Sequence, residues 1–344
     1  MSTEVRCDRA VTDDLRVLVT AMLRAEYGPS AVQTLNRAAS VMASSYPAEV
    51  VTVGLADGRV VKIFLKDLSS RRYDRDLAER RSLEIAVYRD LLADANLGTP
   101  RYYGSVSDPG RNRFWLLLEH VEGTCLRDEP FSVWVQAAAW LGRMQAHVAA
   151  HPELLHRCRL LKPLTHGLFL STAATAERAA AAYAPELAGR VVRALEGYPE
   201  LAGRIASQPP TLVHGSYRPQ NILLRAGAGP GAQPPMCPVD WEGAALGPAG
   251  YDLAYLSDGF DEQRRQLLVA AYRMAAAEHG LRVHEGEEAD VLLDGCDLHK
   301  NLKTLGKAAD RGFPVDGVHK LVRMVEVAAA RALRRRNGAA RRAP

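Results

Sequence analysis

The chain has 344 residues, enough for two lobes with a sizeable buried core, and its 47% of apolar residues is ordinary for a globular enzyme. A net charge of +4, without a basic stripe interleaved with aromatic residues, argues against nucleic acid as a partner. No apolar run approaches the roughly 18 residues of a membrane span, and five scattered cysteines without a CxxC pair exclude a disulfide scaffold or a cysteine-based zinc site.

Residues 12–40 carry an amphipathic helical pattern (Leu15, Leu18, Val19, Met22, Leu23). The period then falls to two. Val50–Leu55 and Val60–Lys66 form a strand pair around the turn signal Asp57-Gly58. Residues 71–95 return to helix, and strands are predicted at Pro100–Gly104 and Phe114–Glu119. Beyond Gly123 the pattern is helical, near 131–150, 173–206, 261–279, 287–309 and 315–337, interrupted only by a β-rich stretch at 211–240. The division predicted is an N-terminal lobe, 1–119, and a helical lobe, 120–344. The arginines at 331–342 are expected to be a solvated helix end. The start of the chain, with charges of both signs and no apolar core, does not read as a secretory signal, and the unpaired cysteines predict a reduced, cytoplasmic setting.

The chemistry concentrates in Leu212-Val213-His214-Gly215-Ser216-Tyr217-Arg218-Pro219-Gln220-Asn221 and, nineteen residues after Asn221, in Pro238-Val239-Asp240-Trp241-Glu242. An amide oxygen and a carboxylate are the hard ligands that magnesium takes beside phosphate groups. Either residue alone is an unremarkable loop or turn residue; the pair in this order, flanked by apolar strands, is expected to hold one divalent cation.

With these residues goes a resemblance to the aminoglycoside phosphotransferase and choline kinase-like group of the protein-kinase superfold. It is carried by the loop and strand above, with Lys66-Asp67-Leu68, Glu84–Arg89, Trp115–Glu119 and Gly247–Asp252, all in family order over roughly 40–280. It implies an α+β, bilobal kinase-like fold with a small β-rich N-lobe and a larger, mainly helical C-lobe. It implies ATP (or GTP) and Mg2+, the metal held by Asn221 and Asp240. Lys66 would grip the phosphates, Glu84 would hold Lys66, and Lys62, on the same strand face, is the competitor. Ser44 and Ser45 would cover the phosphates in place of glycines, and Glu119 and Val121 would form the adenine hinge. His214, Ser216 and Arg218 would be the catalytic loop, Arg218 facing the transferring phosphate and Asp252 orienting the loop.

The departure is Ser216, which stands where the family places an acid and cannot take up a proton as a carboxylate does. The resemblance therefore predicts a phosphotransferase acting on a hydroxyl of a small molecule or of peptide Ser/Thr, which Ser216 makes slow or dependent on a base carried by the acceptor. The alternative is a pseudokinase that scaffolds a partner enzyme in a biosynthetic complex. Glu242 is a weaker candidate for the missing base. His147, His151, His156 and His166 lack carboxylate or cysteine partners at metal-binding spacing, and Cys237 is expected to be a buried small hydrophobe.

Overall fold

The computed structural model describes residues 9–28, 32–40, 46–69, 77–93, 95, 97–226, 236–283 and 286–340. The chain runs through α1 (Arg9–Tyr27), β1 (Val32–Ala39), β2 (Ala48–Leu55), β3 (Val60–Asp67), α2 (Leu77–Ala86) with a π-helical turn at Val87–Leu92, β4 (Tyr102–Asp108), β5 (Arg113–Glu119) and β6 (Gly123–Cys125). Next come α3 (Phe131–Ala150), α4 (Glu153–Arg157), α5 (His166–Ala181), α6 (Pro185–Ala194), α7 (Tyr198–Ala206), β7 (Pro210–Val213), β8 (Ile222–Arg225), β9 (Met236–Pro238) and β10 (Ala245–Pro248). Helices α8 (Leu253–Leu256), α9 (Glu262–Glu278), α10 (Gly286–Leu305) and α11 (Val315–Ala340) complete it.

Two expectations are corrected. The helix expected over 12–40 stops at Tyr27, because Gly28 takes a left-handed φ of 87° and its N–H returns to the Arg24 carbonyl at 3.0 Å. Strand β1 occupies the rest of that stretch; only its Leu35 is buried, so it shows no apolar alternation. The helix expected over 173–206 is three helices, starting earlier, at His166, and broken before Pro185 and at Gly197.

The chain forms two compact units. One comprises Met1–Thr124 with Leu223–Glu242, the other Cys125–Ile222 with Gly243–Pro344. Residues 223–242 thus belong with the N-terminal part, not with the helical part to which chain order assigns them.

In the first unit an antiparallel sheet has the order β1-β2-β3-β5-β4. Its alternation sends Val51, Val53, Ile63, Leu65 and Leu117 to one face, where Leu15, Val19 and Leu23 of α1 pack on them. Each such side chain contributes roughly 1.5–3 kcal/mol on burial, which fixes the register. Odd positions of β3 are spent on this core, so Lys62, Phe64 and Lys66 lie on the opposite face. A three-stranded sheet, β6-β8-β9, brings the 223–242 segment into the same unit. There Arg225 donates to the Glu119 carboxylate, with one N–O distance of 3.0 Å.

The second unit is mainly helical. Its core joins Phe169, Leu187, Leu201, Leu298, Leu302 and Val322. The short ribbon β7–β10 pairs Val213 with Ala245 and Leu212 with Leu246. Gln145 of α3, fully buried, pins it: Nε2 donates to the Leu212 carbonyl at 3.2 Å, and Oε1 accepts from the Gly250 N–H at 3.3 Å and the Tyr272 hydroxyl at 2.5 Å. The strand end that launches the 214–221 loop is therefore set by a buried amide that bonds three partners.

Candidate active site

The first unit carries a cluster of one cation and three carboxylates. Lys66 sits on the sheet face away from the α1 core. Its Nζ donates to both oxygens of Glu84, at 2.8 and 2.9 Å, and to Asp240 Oδ1 at 2.6 Å. Glu84 is only 1% exposed and the Lys66 side chain 13%. Burial alone would lower the lysine pKa, but the Asp240, Glu84 and Glu242 carboxylates outweigh it and hold the ammonium charged. Burial, with Asp240 and Glu242 nearby, raises the Glu84 pKa, and Lys66 opposes that rise. The Tyr46 ring covers the amine, its centroid 5.0 Å from Nζ.

Lys62, the competing lysine, pairs instead with Glu122 at an exposed position, 2.5 Å away. Their four-residue separation along one strand face decides the difference: Lys66 lies beside α2, which supplies Glu84.

Asp240 reaches this lysine through an unusual backbone. Its φ is +66°, in the left-handed region that non-glycine residues seldom occupy. The turn is held by Trp241, fully buried, whose indole N–H donates to the Pro238 carbonyl at 3.2 Å. Glu84, Asp240 and Glu242 offer carboxylate oxygens within 4.8 Å of one another, an all-oxygen set suited to a hard divalent cation. No histidine or cysteine joins it among the described residues. The His147 and His151 rings meet at a tilt of 33° with centroids 4.4 Å apart, and burial pushes the Cys237 thiol up to about 12, out of nucleophile range.

The expected adenine hinge has its backbone partly engaged. The N–H groups of Glu119 and His120 are taken up by the Arg101 and Lys62 carbonyls, at 2.8 and 3.1 Å, and Val121 is half-buried at the end of that segment. Ser44 and Ser45, expected over the phosphates, lie outside the described residues.

The loop 214–221 belongs to the second unit. Both oxygens of the fully buried Asp252 accept from its backbone, Oδ2 from the His214 N–H at 2.7 Å and Oδ1 from the Gly215 N–H at 2.9 Å. Burial pushes the Asp252 pKa up to about 7, against the pull of those two donors and of Lys303. Gly215 has φ +72°, and a Cβ there would run into the Gly243 carbonyl, so only glycine fits. His214 is a fully buried anchor, its ring edge-on to Tyr217, and Tyr217 in turn donates to the Ala137 carbonyl at 3.0 Å.

These anchors leave Ser216 half-buried at the bend. Its carbonyl accepts from the Arg218 N–H at 2.7 Å and from Asn221 Nδ2 at 3.0 Å. The Asn221 side-chain nitrogen is thus engaged inside the loop. The Arg218 guanidinium lies over the Tyr255 ring, 5.3 Å from its centroid.

Sequence reasoning missed Lys303. It comes from α10, far along the chain, yet its Nζ is 3.4 Å from the Gly215 carbonyl and 5.9 Å from the Tyr255 centroid. No spacing signal could have linked positions 88 residues apart.

The sequence profile of the phosphotransferase enzyme family (APH) matches residues 44–288. The chain belongs to this family. It has no match among the curated proteins. Among solved structures, the chain is similar in fold to the GDP and kanamycin complex of an aminoglycoside 2″-phosphotransferase, at 15% identity and a TM-score of 0.58, covering 90% of this chain and 98% of that one. A macrolide 2′-phosphotransferase from Brachybacterium faecium aligns at 18% identity and a TM-score of 0.53, over 92% and 97%. A choline kinase from Cryptosporidium parvum aligns at 12% and 0.55, over 94% and 96%. At these identities the likeness is one of fold, and the fold is the kinase-like α+β one.

Proposed function

We propose that this family member transfers the terminal phosphate of ATP or GTP to a hydroxyl, with Mg2+, and that the acceptor is a small molecule or a peptide Ser/Thr side chain. The observation that carries the reading is the sharing of Lys66 between a buried glutamate and the strained Asp240. A lysine fixed by a helical glutamate is what a polyphosphate grip requires. Lys66 and Glu84 bind the nucleotide phosphates. Magnesium, when bound, neutralises phosphate charge, and Asp240 and Asn221 are the residues that would hold it. Arg218 directs a permanent positive charge at the terminal phosphate. Glu119 and Val121 present backbone groups to the base.

Ser216 gives the second reading its footing. A hydroxyl replaces the carboxylate that takes the acceptor proton, a contribution typically worth about 10²–10⁴-fold. Phosphoryl transfer depends mainly on positioning and charge neutralisation, so this loss slows the reaction without abolishing it. The competing reading is a nucleotide-binding scaffold for a partner enzyme, in a biosynthetic complex of the cytoplasm.

Nucleotide binding and turnover, with and without Mg2+, test both in the wild type, Asp240→Asn and Lys66→Met. Turnover that falls roughly 10²-fold or more in both variants supports the transferase, since removal of single electrostatic groups at such sites costs about that much. Nucleotide binding without turnover of any acceptor favours the scaffold. Wild type that binds neither nucleotide nor Mg2+ refutes both.

A further inference from the structure

The helical unit is rich in charge, and much of it is paired. Arg265 meets Asp294 at 2.6 Å, Arg190 meets Glu326 at 2.6 Å, and Lys300 meets Asp258 and Asp297 at 2.6 and 2.8 Å. Lys303, three residues from Lys300 on α10, breaks this pattern, and so does Arg218. Neither has an ion-pair partner among the described residues. Both are half-buried, and both lie within 6 Å of the same Tyr255 ring. Lys303 also reaches the carbonyl of Gly215, the residue before Ser216. Asp252, the acid that binds this loop, is buried with both oxygens turned to backbone N–H groups and ion-pairs with neither cation.

We propose that Lys303, beside Arg218 on the same tyrosine, holds an oxyanion of the acceptor, a carboxylate or phosphate group borne by the molecule whose hydroxyl is phosphorylated, while Arg218 faces the terminal phosphate. The inference rests on the phosphotransferase reading and narrows it to anionic acceptors, as against polyamines. Two features of the chain agree in sign. Serine at 216 removes the negative charge that would repel an anionic acceptor and attract an amine, and the two cations supply attraction in its place. The anion also answers the missing base. The acceptor hydroxyl oxygen forms a bond to the terminal phosphorus, and the bond from phosphorus to the bridging oxygen breaks. The nucleoside diphosphate leaves with the electron pair, and the hydroxyl proton passes to the acceptor's own oxyanion.

The test is calorimetric titration of inorganic phosphate into wild type, Lys303→Met and Arg218→Met, both without nucleotide and with saturating Mg·ADP. ADP binding is measured separately in each. A charge-assisted hydrogen bond to a half-buried site is worth roughly tenfold or more in affinity. Phosphate affinity is therefore expected to fall at least about tenfold in Lys303→Met, in both conditions. Equal phosphate affinity in wild type and Lys303→Met overturns the proposal, as does kanamycin binding more tightly than phosphate. Failure of wild type to bind ADP strikes the phosphotransferase reading instead, and leaves the nucleotide-free phosphate comparison to decide this one.

Discussion

Replacement of Gly215 by alanine is the sharpest test of the loop geometry. The position has φ +72°, where an alanine costs roughly 1–2 kcal/mol relative to glycine. The added Cβ would also meet the Gly243 carbonyl, with even the carbonyl carbon at 2.8 Å. This obstacle is backbone and cannot swing aside, and overpacking of this kind costs about 1–3 kcal/mol. The two effects together predict a loss of about 2–5 kcal/mol, a melting temperature lower by roughly 4–20 °C at about 2–4 °C per kcal/mol. Two glycines separate the contributions. Gly259 has φ +83° with nothing within 4 Å of its Cβ position, so Gly259→Ala should cost only the conformational share, about 1–2 kcal/mol. Gly203, inside α7 and equally unobstructed, should gain up to about 1 kcal/mol as alanine. Thermal and urea unfolding of the three variants give the ranking. If Gly215→Ala melts with or above Gly259→Ala, the close approach of the loop to Gly243 is wrong.

Gln145→Leu strands the Leu212 carbonyl, the Gly250 N–H and the Tyr272 hydroxyl in the interior, and at about 1–3 kcal/mol for each unsatisfied group it should cost at least 3 kcal/mol in urea unfolding. A cost below about 1 kcal/mol would mean that the β7 end is not held as described. His299 of α10 is buried against Phe169 and Tyr251, and burial, aided by the Lys303 charge, lowers its pKa from 6.5 to about 3. The unfolded chain therefore takes up a proton below about pH 6.5 that the folded chain refuses, so stability declines as pH falls through that window toward 3. Between pH 7 and pH 5 the wild type should lose about 2 kcal/mol more than His299→Phe, at roughly 1.4 kcal/mol per pH unit below 6.5. Equal acid sensitivity of the two proteins would refute the assignment.

The sequence made the α+β architecture legible where apolar periodicity is strong. β2 and β3 alternate cleanly, and α3 and α9 stand within a residue or two of their expected ends. It failed at β1, whose polar Gln33, Thr34, Asn36 and Arg37 bury only Leu35 among them, because pairing with β2 rather than an apolar face makes that strand. The pairing of Lys66 with Glu84 could be foreseen because strand parity and the following helix put them within reach. The left-handed Asp240 could not, since nothing in Pro-Val-Asp-Trp-Glu announces a positive φ. Nor could Lys303, whose place beside Gly215 is settled by how α10 packs in the helical core and not by local pattern.

The grouping of residues 223–242 with the N-terminal unit has a consequence for biosynthesis. The chain leaves that unit after Thr124, builds ninety-eight residues elsewhere, and returns to add β8, β9 and Asp240. On the ribosome this unit cannot complete its second sheet until Pro238 has emerged, although its first sheet was finished long before. A fragment cut at Thr124 would keep Lys66 and Glu84 yet lack the carboxylate that shares the lysine, so neither unit can be borrowed intact by simple truncation.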